Sequence, residues 1–504
     1  MNTSHHFVTV TVNGEKRTVA VGTRLSDLLP IALPCGGHGK CGKCKVIATG
    51  MLSPLSESER FALHDEELAN GIRLACHTTV VGECSVSLPK TSSAKNKILT
   101  DAQGELSAAN PTFEAYGAAI DIGTTTLAAK LYAKSGACLA EYGCMNPQSV
   151  WGADVISRIE ASMRGEAQTM ATSICLAIDK ILVALAQAAN IPVDAIDAVV
   201  LTGNTAMLHL LTNTSTEPLS HAPFEAKRLF GETLTAGALG LQTISANAEV
   251  YLPSCISAFV GADMVCAMLA SGMQTSNKTA LLADIGTNGE MGLWHNGKLT
   301  VCSTAAGPAF EGVGISMGMS GATGAIDRVV LDAEELQAHV IGDAEPRGIC
   351  GSGLVDAIAC LLKNEVLDET GYLEDDPVTI AHPVVLTQQD VRMVQLAKSA
   401  ICAGLCTLLQ NADTATEQVD TLYIAGGFGS YLNMKSAGEI GLIPPELADR
   451  VSVIGNAALT GAAMLLLDKK LRDDAARLAK CAVVSDLASS PIFSELYMNG
   501  MMFE

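Results

Sequence analysis

A multidomain α+β chain is the fold class the sequence predicts, and three observations lead to it. The chain has 504 residues, room for about three domains at ~100–200 residues each. Short alternating strand patterns around a cysteine- and glycine-rich loop fill the beginning, while the rest mixes buried strand runs, glycine turns and long apolar helices. One strand–turn motif occurs twice, about 160 residues apart, which is the mark of a duplicated unit.

Composition narrows the function classes. Hydrophobic residues make up 48% and charged residues 17%, which excludes a disordered chain. With 32 Lys and Arg against 53 Asp and Glu, the formal charge is −21. Nucleic acid and anionic membrane surfaces are therefore repelled overall, whereas a docking patch on another protein stays open. Asp179, Lys180 and Asp263 interrupt the best apolar runs before they reach the ~18 residues of a membrane span. The N-terminus, polar and then FVTVTV, lacks a secretory signal. A cytoplasmic protein with no membrane partner is expected, in which sixteen cysteines are thiols, metal ligands or redox groups rather than disulfides.

Within residues 1–90, Phe7 to Val12 and Arg17 to Val21 alternate as a hairpin around Asn13-Gly14. A helix is expected near Leu25 to Leu29, with strands at Lys45 to Ala48 and Cys84 to Leu88. Cys35, Cys41, Cys44 and Cys76 have the spacing C-x5-C-x2-C-x31-C, three thiolates from one loop and one from afar, as a 2Fe–2S cluster requires. Gly36, Gly37, Gly39 and Gly42 let that loop curl around a cluster and aim amides at its sulfurs. A zinc knuckle is the alternative, but zinc sites usually pair two C-x2-C units and Cys76 has no such partner. Cys84, in the alternating ECSVSL, is expected to be a buried strand cysteine. The segment GHGKCGKC falls one residue short of a phosphate-binding loop, lacks its Ser or Thr, and does not follow a strand. This first segment resembles a 2Fe–2S ferredoxin domain of β-grasp fold, with x5 where plant-type ferredoxins have x4.

A polar linker, 91–116, follows. Then YGAAIDIGTTTLAAKLY carries a buried strand into Asp121, turns through Gly123, Thr124, Thr125 and Thr126, and returns as a second strand. TALLADIGTNGEMGLWH repeats the pattern with Asp284, Gly286, Thr287, Asn288, Gly289 and Glu290. Small residues at such a turn let backbone amides reach phosphate oxygens, and an Asp at the strand end can hold Mg²⁺ through water. TLYIAGGFGS runs a strand into Gly426, Gly427 and Gly429, a corner that admits a flat ring or a sugar. Each turn alone is as readily structural; the three in this order point to a nucleotide clamped between two halves.

These three motifs resemble the two phosphate motifs and the adenosine motif of the actin-like ATPase (ASKHA) superfamily. The resemblance implies two ribonuclease-H-like α/β lobes, at 117–276 and 277–504, with ATP and Mg²⁺ between them. Asp121, Asp284 and Glu290 would be the catalytic acids, with the glycines, threonines and Asn288 above lining the nucleotide. Further segments, NPQSVWGADVISRI from Asn146, LTGNTAMLHLL from Leu201, AAGPAFEGVGISMGM from Ala305 and GICGSGLVDAIA from Gly348, together with the ferredoxin-like beginning, resemble the reductive activators of corrinoid proteins. That family implies one-electron transfer from the cluster to the cob(II)amide of a separate corrinoid protein, restoring cob(I)amide for methyl transfer. It also implies a low-potential electron donor and allows a homodimer. Lys40, Lys43, Lys45 and Lys90, near the cluster loop in sequence, are candidates for a face toward the corrinoid protein.

Several motifs keep two readings. Gly348, Gly351 and Gly353 suit either the superfamily's second inter-lobe connection or close helix packing. Asn204 or Thr205 can cap a helix or touch ligand. Glu290 and Glu311, each beside glycines, can position water or Mg²⁺ or be solvated. Cys402, Cys406, His209 and His221 are expected to carry no chemistry. Two other function classes share the motifs: a small-molecule kinase, which leaves the ferredoxin segment without a task, and a nucleotide-responsive redox sensor with negligible turnover.

Overall fold

The structure, a computed structural model, describes residues 7–29, 31, 42, 44–63, 65–88 and 106–503. It divides into two compact units: Met1–Ala94 with Pro147–Glu166, and Lys95–Asn146 with Ala167–Glu504.

The first unit contains a five-stranded sheet in the order Glu15–Ala20, Phe7–Val12, Val80–Ser87, Lys45–Leu52, Ile72–Leu74. Phe7–Val12 and Val80–Ser87 run parallel and the other pairs antiparallel, the mixed sheet of a β-grasp domain. Alternation puts Val10, Val46, Val80 and Val86 into one core. Asn13 (φ 48°) and Gly14 (φ 91°) supply the left-handed turn that closes the hairpin. The expected helix near Leu25 is a single 3-10 turn, Leu25–Asp27. Its leading amides, Leu25 N and Ser26 N, donate to Thr78 O and Ala75 O, so they tie the segment sideways instead of extending a helix.

Beneath the sheet, Glu59 closes a capping box with Ser56 on the helix Glu57–Ala62 and is fully buried. Its carboxylate accepts from Arg73 Nε (2.8 Å) and Nη2 (3.1 Å), Thr78 Oγ1 (2.9 Å) and Leu74 N (3.1 Å). Burial would raise this carboxyl, but the Arg73 guanidinium and the surrounding donors hold it down to about 2.

The second unit holds two six-stranded sheets of matching design. In one the order is Glu232–Thr235, Glu249–Leu252, Ile196–Gly203, Tyr116–Ile122, Thr126–Ala133, Cys138–Met145; in the other it is Val451–Gly455, Thr421–Ala425, Ala280–Ile285, Gly289–His295, Lys298–Thr304, Val483–Val484. Tyr116–Ile122 turns back antiparallel into Thr126–Ala133, with Ile196–Gly203 parallel on its other side. Ala280–Ile285 does the same with Gly289–His295 and Thr421–Ala425. Asp121 lies opposite Thr202, just before Gly203, and Asp284 opposite Ala425, just before Gly426. The duplication expected from the two DIGT turns thus extends over five strands of each sheet, while the sixth strands, Glu232–Thr235 and Val483–Val484, lie on opposite edges.

Two helices cross between the lobes, Ala262–Ser271 and Ala457–Leu467, burying Met264, Val265, Leu269, Leu459, Ala462 and Leu466 in a shared core. They meet at Gly461, where a Cβ would stand 2.0 Å from the Cys266 carbonyl oxygen and 2.5 Å from its Cα. The helix Ala457–Leu467, late in the chain, packs against the first-lobe strands Tyr116–Ile122 and Ile196–Gly203. Leu466 O accepts from Thr112 N at 2.9 Å, which ties the segment before the first strand to the helix end.

The expected inter-lobe connection at Gly348 is instead core packing in the second lobe. Gly351 begins the helix Gly351–Lys363; a Cβ there would stand 2.1 Å from Phe310 O, and one on Gly353 would stand 2.3 Å from Ile326 O. Close packing by small residues is the reading that holds. By composition the helical stretch Val155–Ala188, broken at Gly165 (φ 105°), and the helix Gln388–Asn411 are long and apolar enough to cross a bilayer. Their most apolar windows are 56% and 72% buried within the fold, which makes core packing sufficient to explain their composition.

Two stability effects follow. Arg73→Met strands a buried carboxylate and should cost about 3–5 kcal/mol, read as faster amide exchange at 74–80 in the intact chain with exchange in the lobes unchanged. Because the folded Glu59 carboxyl lies at about 2, below its unfolded value, this contribution is complete at neutral pH and is lost as pH falls through about 2. Gly461→Val should lower the melting temperature through ~1–3 kcal/mol of overpacking; a melt identical to wild type would mean that the helices do not meet there.

Candidate functional site

In the first unit, strand register builds the thiol pair. Lys45 lies opposite Leu74 in the antiparallel pairing; Cys44 just precedes the one strand, Cys76 follows the other, and Ala75 N donates to Cys44 O at 2.9 Å. The two sulfurs are 3.2 Å apart, well beyond the ~2.04 Å of a disulfide. The side-chain hydrogen bond between Cys44 and Cys76 is the main cause that brings the Cys44 thiol down to about 6, against the opposing effect of burial. Two adjacent thiols, one readily ionised, are the soft donor set that iron–sulfur clusters take. The pair therefore fits half of a 2Fe–2S ligand set. Cys35 and Cys41 lie outside the described residues, as do Lys40, Lys43 and Lys90. Lys45 is paired with Glu67 at 2.7 Å. Cys84 is the buried strand cysteine expected, and burial pushes its thiol up.

In the second unit, the duplicated strands bring Asp121 and Asp284 to one cleft floor, where Asp263 and Glu290 join them. Burial is the largest cause of the raised carboxyls: Asp121 rises to about 7, Asp284 to about 6 and Asp263 to about 8, while Glu290 lies well above its ordinary value. Mutual repulsion adds to this, Asp284 acting on Asp121, Asp263 and Glu290. Each crossing helix offers its N-terminus to an acid of the opposite lobe. Gly261 N, before Ala262–Ser271, donates to Glu290 Oε2 at 3.4 Å; Asn456, capping Ala457–Leu467, donates through Nδ2 to Asp121 Oδ2 at 3.1 Å. Four acids that repel one another on a cleft floor are a donor set suited to a hard divalent cation.

Above this floor stand the two hairpin turns. Asn146 Nδ2 donates to Gly123 O at 2.8 Å and Asn204 Nδ2 to Thr124 Oγ1 at 3.1 Å. Asn204 also caps the helix Thr205–Leu211 through Met207 N at 2.9 Å, so it caps and supports the turn at once. Thr125 Oγ1 donates to Glu311 Oε2 at 3.3 Å and Thr287 Oγ1 to Glu311 Oε1 at 2.8 Å. Thr126 begins the returning strand of the first hairpin and Gly289 that of the second, with Gly286 N bonded to Asn288 O at 3.2 Å. Gly426 (φ 92°) leaves no space for a side chain, since a Cβ would stand 2.8 Å from Asp284 Oδ1. Gly427 is open on that side, and Phe428 stacks on Phe310 at 4.8 Å between centroids.

The expected residues Asp121, Gly123, Thr124, Thr125, Asp284, Gly286, Thr287, Glu290 and Gly426 thus meet at one cleft. Asp263 and Asn456 escaped the sequence reading. Asp263 was visible only as a charge inside an apolar helix, and Asn456 as a Gly-Asn pair before another; a polar residue at the head of each of two small-residue helices is the signal that would have found them. His209 is buried, its Nδ1 donating to Thr205 O at 2.7 Å and its Nε2 accepting from Arg228 N at 3.3 Å, a neutral core histidine. A cavity of about 520 Å³ lies apart from the cleft, lined by Cys175, Leu211, Arg228 and Leu239 among others, and contains none of the acids.

Three family models match the chain in succession: a 2Fe–2S iron–sulfur cluster binding domain at residues 9–81, the RACo middle region at 116–276, and the C-terminal ASKHA domain of RACo at 278–504. The corrinoid activation enzyme RamQ of Eubacterium limosum is 34% identical over 423 residues, covering 77% of this chain and 70% of RamQ. A Co(II) methylated amine-specific corrinoid protein reductase of Methanosarcina barkeri is 28% identical over 341 residues, 61% of this chain and 63% of that one. A solved structure of a reductive activator for corrinoid, iron–sulfur protein superposes with a TM-score of 0.71 at 26% identity over 98% of both chains. With a thiol pair in a β-grasp sheet, an acid-floored cleft between duplicated lobes, and relatives that match both, the chain belongs to the family of reductive activators of corrinoid proteins.

Proposed function

We propose that this chain uses ATP to drive one electron from a 2Fe–2S cluster to the cob(II)amide of a partner corrinoid protein, restoring the cob(I)amide nucleophile for methyl transfer. The observation that carries this is the Cys44–Cys76 thiol pair, 3.2 Å apart, in one chain with a four-acid cleft. A cluster held by Cys35, Cys41, Cys44 and Cys76 supplies a one-electron store near about −400 mV. The two hairpin turns take the phosphates through Gly123, Thr124, Thr125, Thr126, Gly286, Thr287, Asn288 and Gly289. Asp121, Asp284 and Glu290, with Asp263, would hold Mg²⁺, which would supply charge neutralisation at the phosphates, and Gly426 and Gly427 would border the adenosine. A low-potential carrier refills the cluster, and the protein works in the cytoplasm.

The transfer runs uphill, since each 100 mV of deficit costs ~2.3 kcal/mol. Differential binding closes such a gap: the activator binds the cob(II)amide protein in a state that raises the cobalt potential, and nucleotide turnover releases the product. With corrinoid protein and reductant present, the cob(II)amide paramagnetic resonance signal should disappear only when ATP is added. Cys76→Ser should slow the loss by about a hundredfold or more, because an electron carrier without its fourth thiolate loses its cluster. Signal loss that proceeds equally without ATP overturns the reading.

The acids make a second prediction. Asp121, Asp284 and Asp263 sit at about 7, 6 and 8 in the folded chain, raised above the ordinary 3.8. Their contribution to stability is complete below that ordinary value and is lost as pH rises through the folded values. Mg²⁺ relieves the same repulsion without a proton. Calorimetry of the nucleotide-free chain should therefore show Mg²⁺ raising the melting temperature more at about pH 8 than at about pH 5.5; equal shifts at both would place the ion elsewhere.

A further inference from the structure

Five acids face the cleft, and four of them are occupied with one another. Asp121, Asp263, Asp284 and Glu290 share the floor, where Asp121 accepts from Asn456 Nδ2 at 3.1 Å. Glu290 is in addition 7% exposed and accepts from Gly261 N. Glu311 stands apart. Its two carboxylate oxygens accept from hydroxyls of the two opposing turns, Oε1 from Thr287 at 2.8 Å and Oε2 from Thr125 at 3.3 Å. It thus occupies the point on which both phosphate-binding turns converge, one from each lobe.

Its position is fixed by local structure. Glu311 ends the 3-10 turn Ala309–Glu311, with Glu311 N bonded to Pro308 O at 3.0 Å. Gly307 N donates to Thr287 O at 3.0 Å, so the segment is stitched to the second turn itself. Phe310 stacks on Phe428, two residues beyond Gly426, with the rings 12° from parallel. Farther along, Asp390 Oδ1 accepts from Ser316 N at 2.7 Å and anchors the loop to the long helix Gln388–Asn411. Once phosphate oxygens take the threonine hydroxyls, the Glu311 carboxylate is left beside the terminal phosphate without its donors. A water molecule between the two then satisfies both.

We propose that Glu311 is the general base for ATP hydrolysis in this chain. The attacking water forms the new O–P bond at the γ-phosphorus, its proton passes to the Glu311 carboxylate, the bond from that phosphorus to the β,γ-bridging oxygen breaks, and ADP and phosphate leave. No other reactant is required. Positioned proton transfer of this kind contributes about 10²–10⁴-fold. Thr125 and Thr287 act differently, as ligands to phosphate, and belong to binding.

This inference rests on the ATP turnover proposed above, and the test separates the two. On the intact chain, ATP dissociation constants are measured by calorimetry and phosphate release is followed with Mg²⁺. Glu311→Gln should keep the ATP dissociation constant within about threefold and lower kcat by about 10²–10³-fold. Glu311→Asp should recover part of kcat with no change in affinity. Thr287→Val should weaken ATP binding while leaving a larger fraction of kcat. A Glu311→Gln chain that turns over within about threefold of wild type overturns the assignment. So does one in which affinity and melting temperature fall together with turnover, since Glu311 would then be only a bridge between the turns. A wild-type chain that binds ATP without hydrolysing it overturns the turnover reading itself, and the base assignment with it.

Discussion

The close crossing of Ala262–Ser271 and Ala457–Leu467 at Gly461 sets most of what the second unit can do. Because the helices approach without a side chain between them, their N-termini arrive at the same cleft floor from opposite lobes. Each places a backbone or capping donor on an acid of the other lobe, Gly261 on Glu290 and Asn456 on Asp121. Four carboxylates could not otherwise be held so near without neutralisation: burial penalises each charge and repulsion penalises their sum. The partial positive charge of two helix starts offsets some of that cost, and the remainder is left for protons or a cation.

That arrangement makes the acids sensitive to the crossing. The two hairpin turns are rigidly continuous with the strands that end in Asp121 and Asp284, so a small rotation at the helix contact moves both turns and both acids together. A ligand spanning the turns would couple binding to a change elsewhere only through a differential affinity for two such settings. Packed helices suit this task because interiors are dense and switch between discrete arrangements more readily than they deform.

The elements legible in the sequence were those whose chemistry is contiguous. The Asn13-Gly14 turn, the C-x2-C loop and the two DIGT turns each declare themselves within a few residues, because a left-handed turn or a phosphate-binding nest needs specific residues next to each other. Asp263 and Asn456 were illegible for the opposite reason: each is ordinary in its own segment and becomes part of the site only when a helix crosses to the other lobe. The Gly348–Gly353 run shows the complementary error. Its glycines suggested a connection between lobes, yet their close neighbours are Phe310 O and Ile326 O of the same lobe, and small residues at a helix start are as consistent with packing as with passage. The helix expected near Leu25 is a 3-10 turn because its leading amides bond to Thr78 O and Ala75 O, partners far along the chain that the local sequence does not declare.

The thiol pair and the acid cleft belong to different compact units. The acids that would meet the nucleotide belong to the second unit, whereas Cys44 and Cys76 are held by strands of the first. Lowering the cluster potential would not be an economical use of ATP, since thiolate ligation already places such clusters at about −400 mV. The remaining lever is the acceptor. A protein that binds the reduced cob(I)amide state more tightly than the cob(II)amide state raises the acceptor's effective potential by that difference alone, and the product, being the tightly held state, then needs a separate event to let it go. Nucleotide turnover at the acid cleft would be such an event, because a ligand shifts an equilibrium by its differential affinity for the two states.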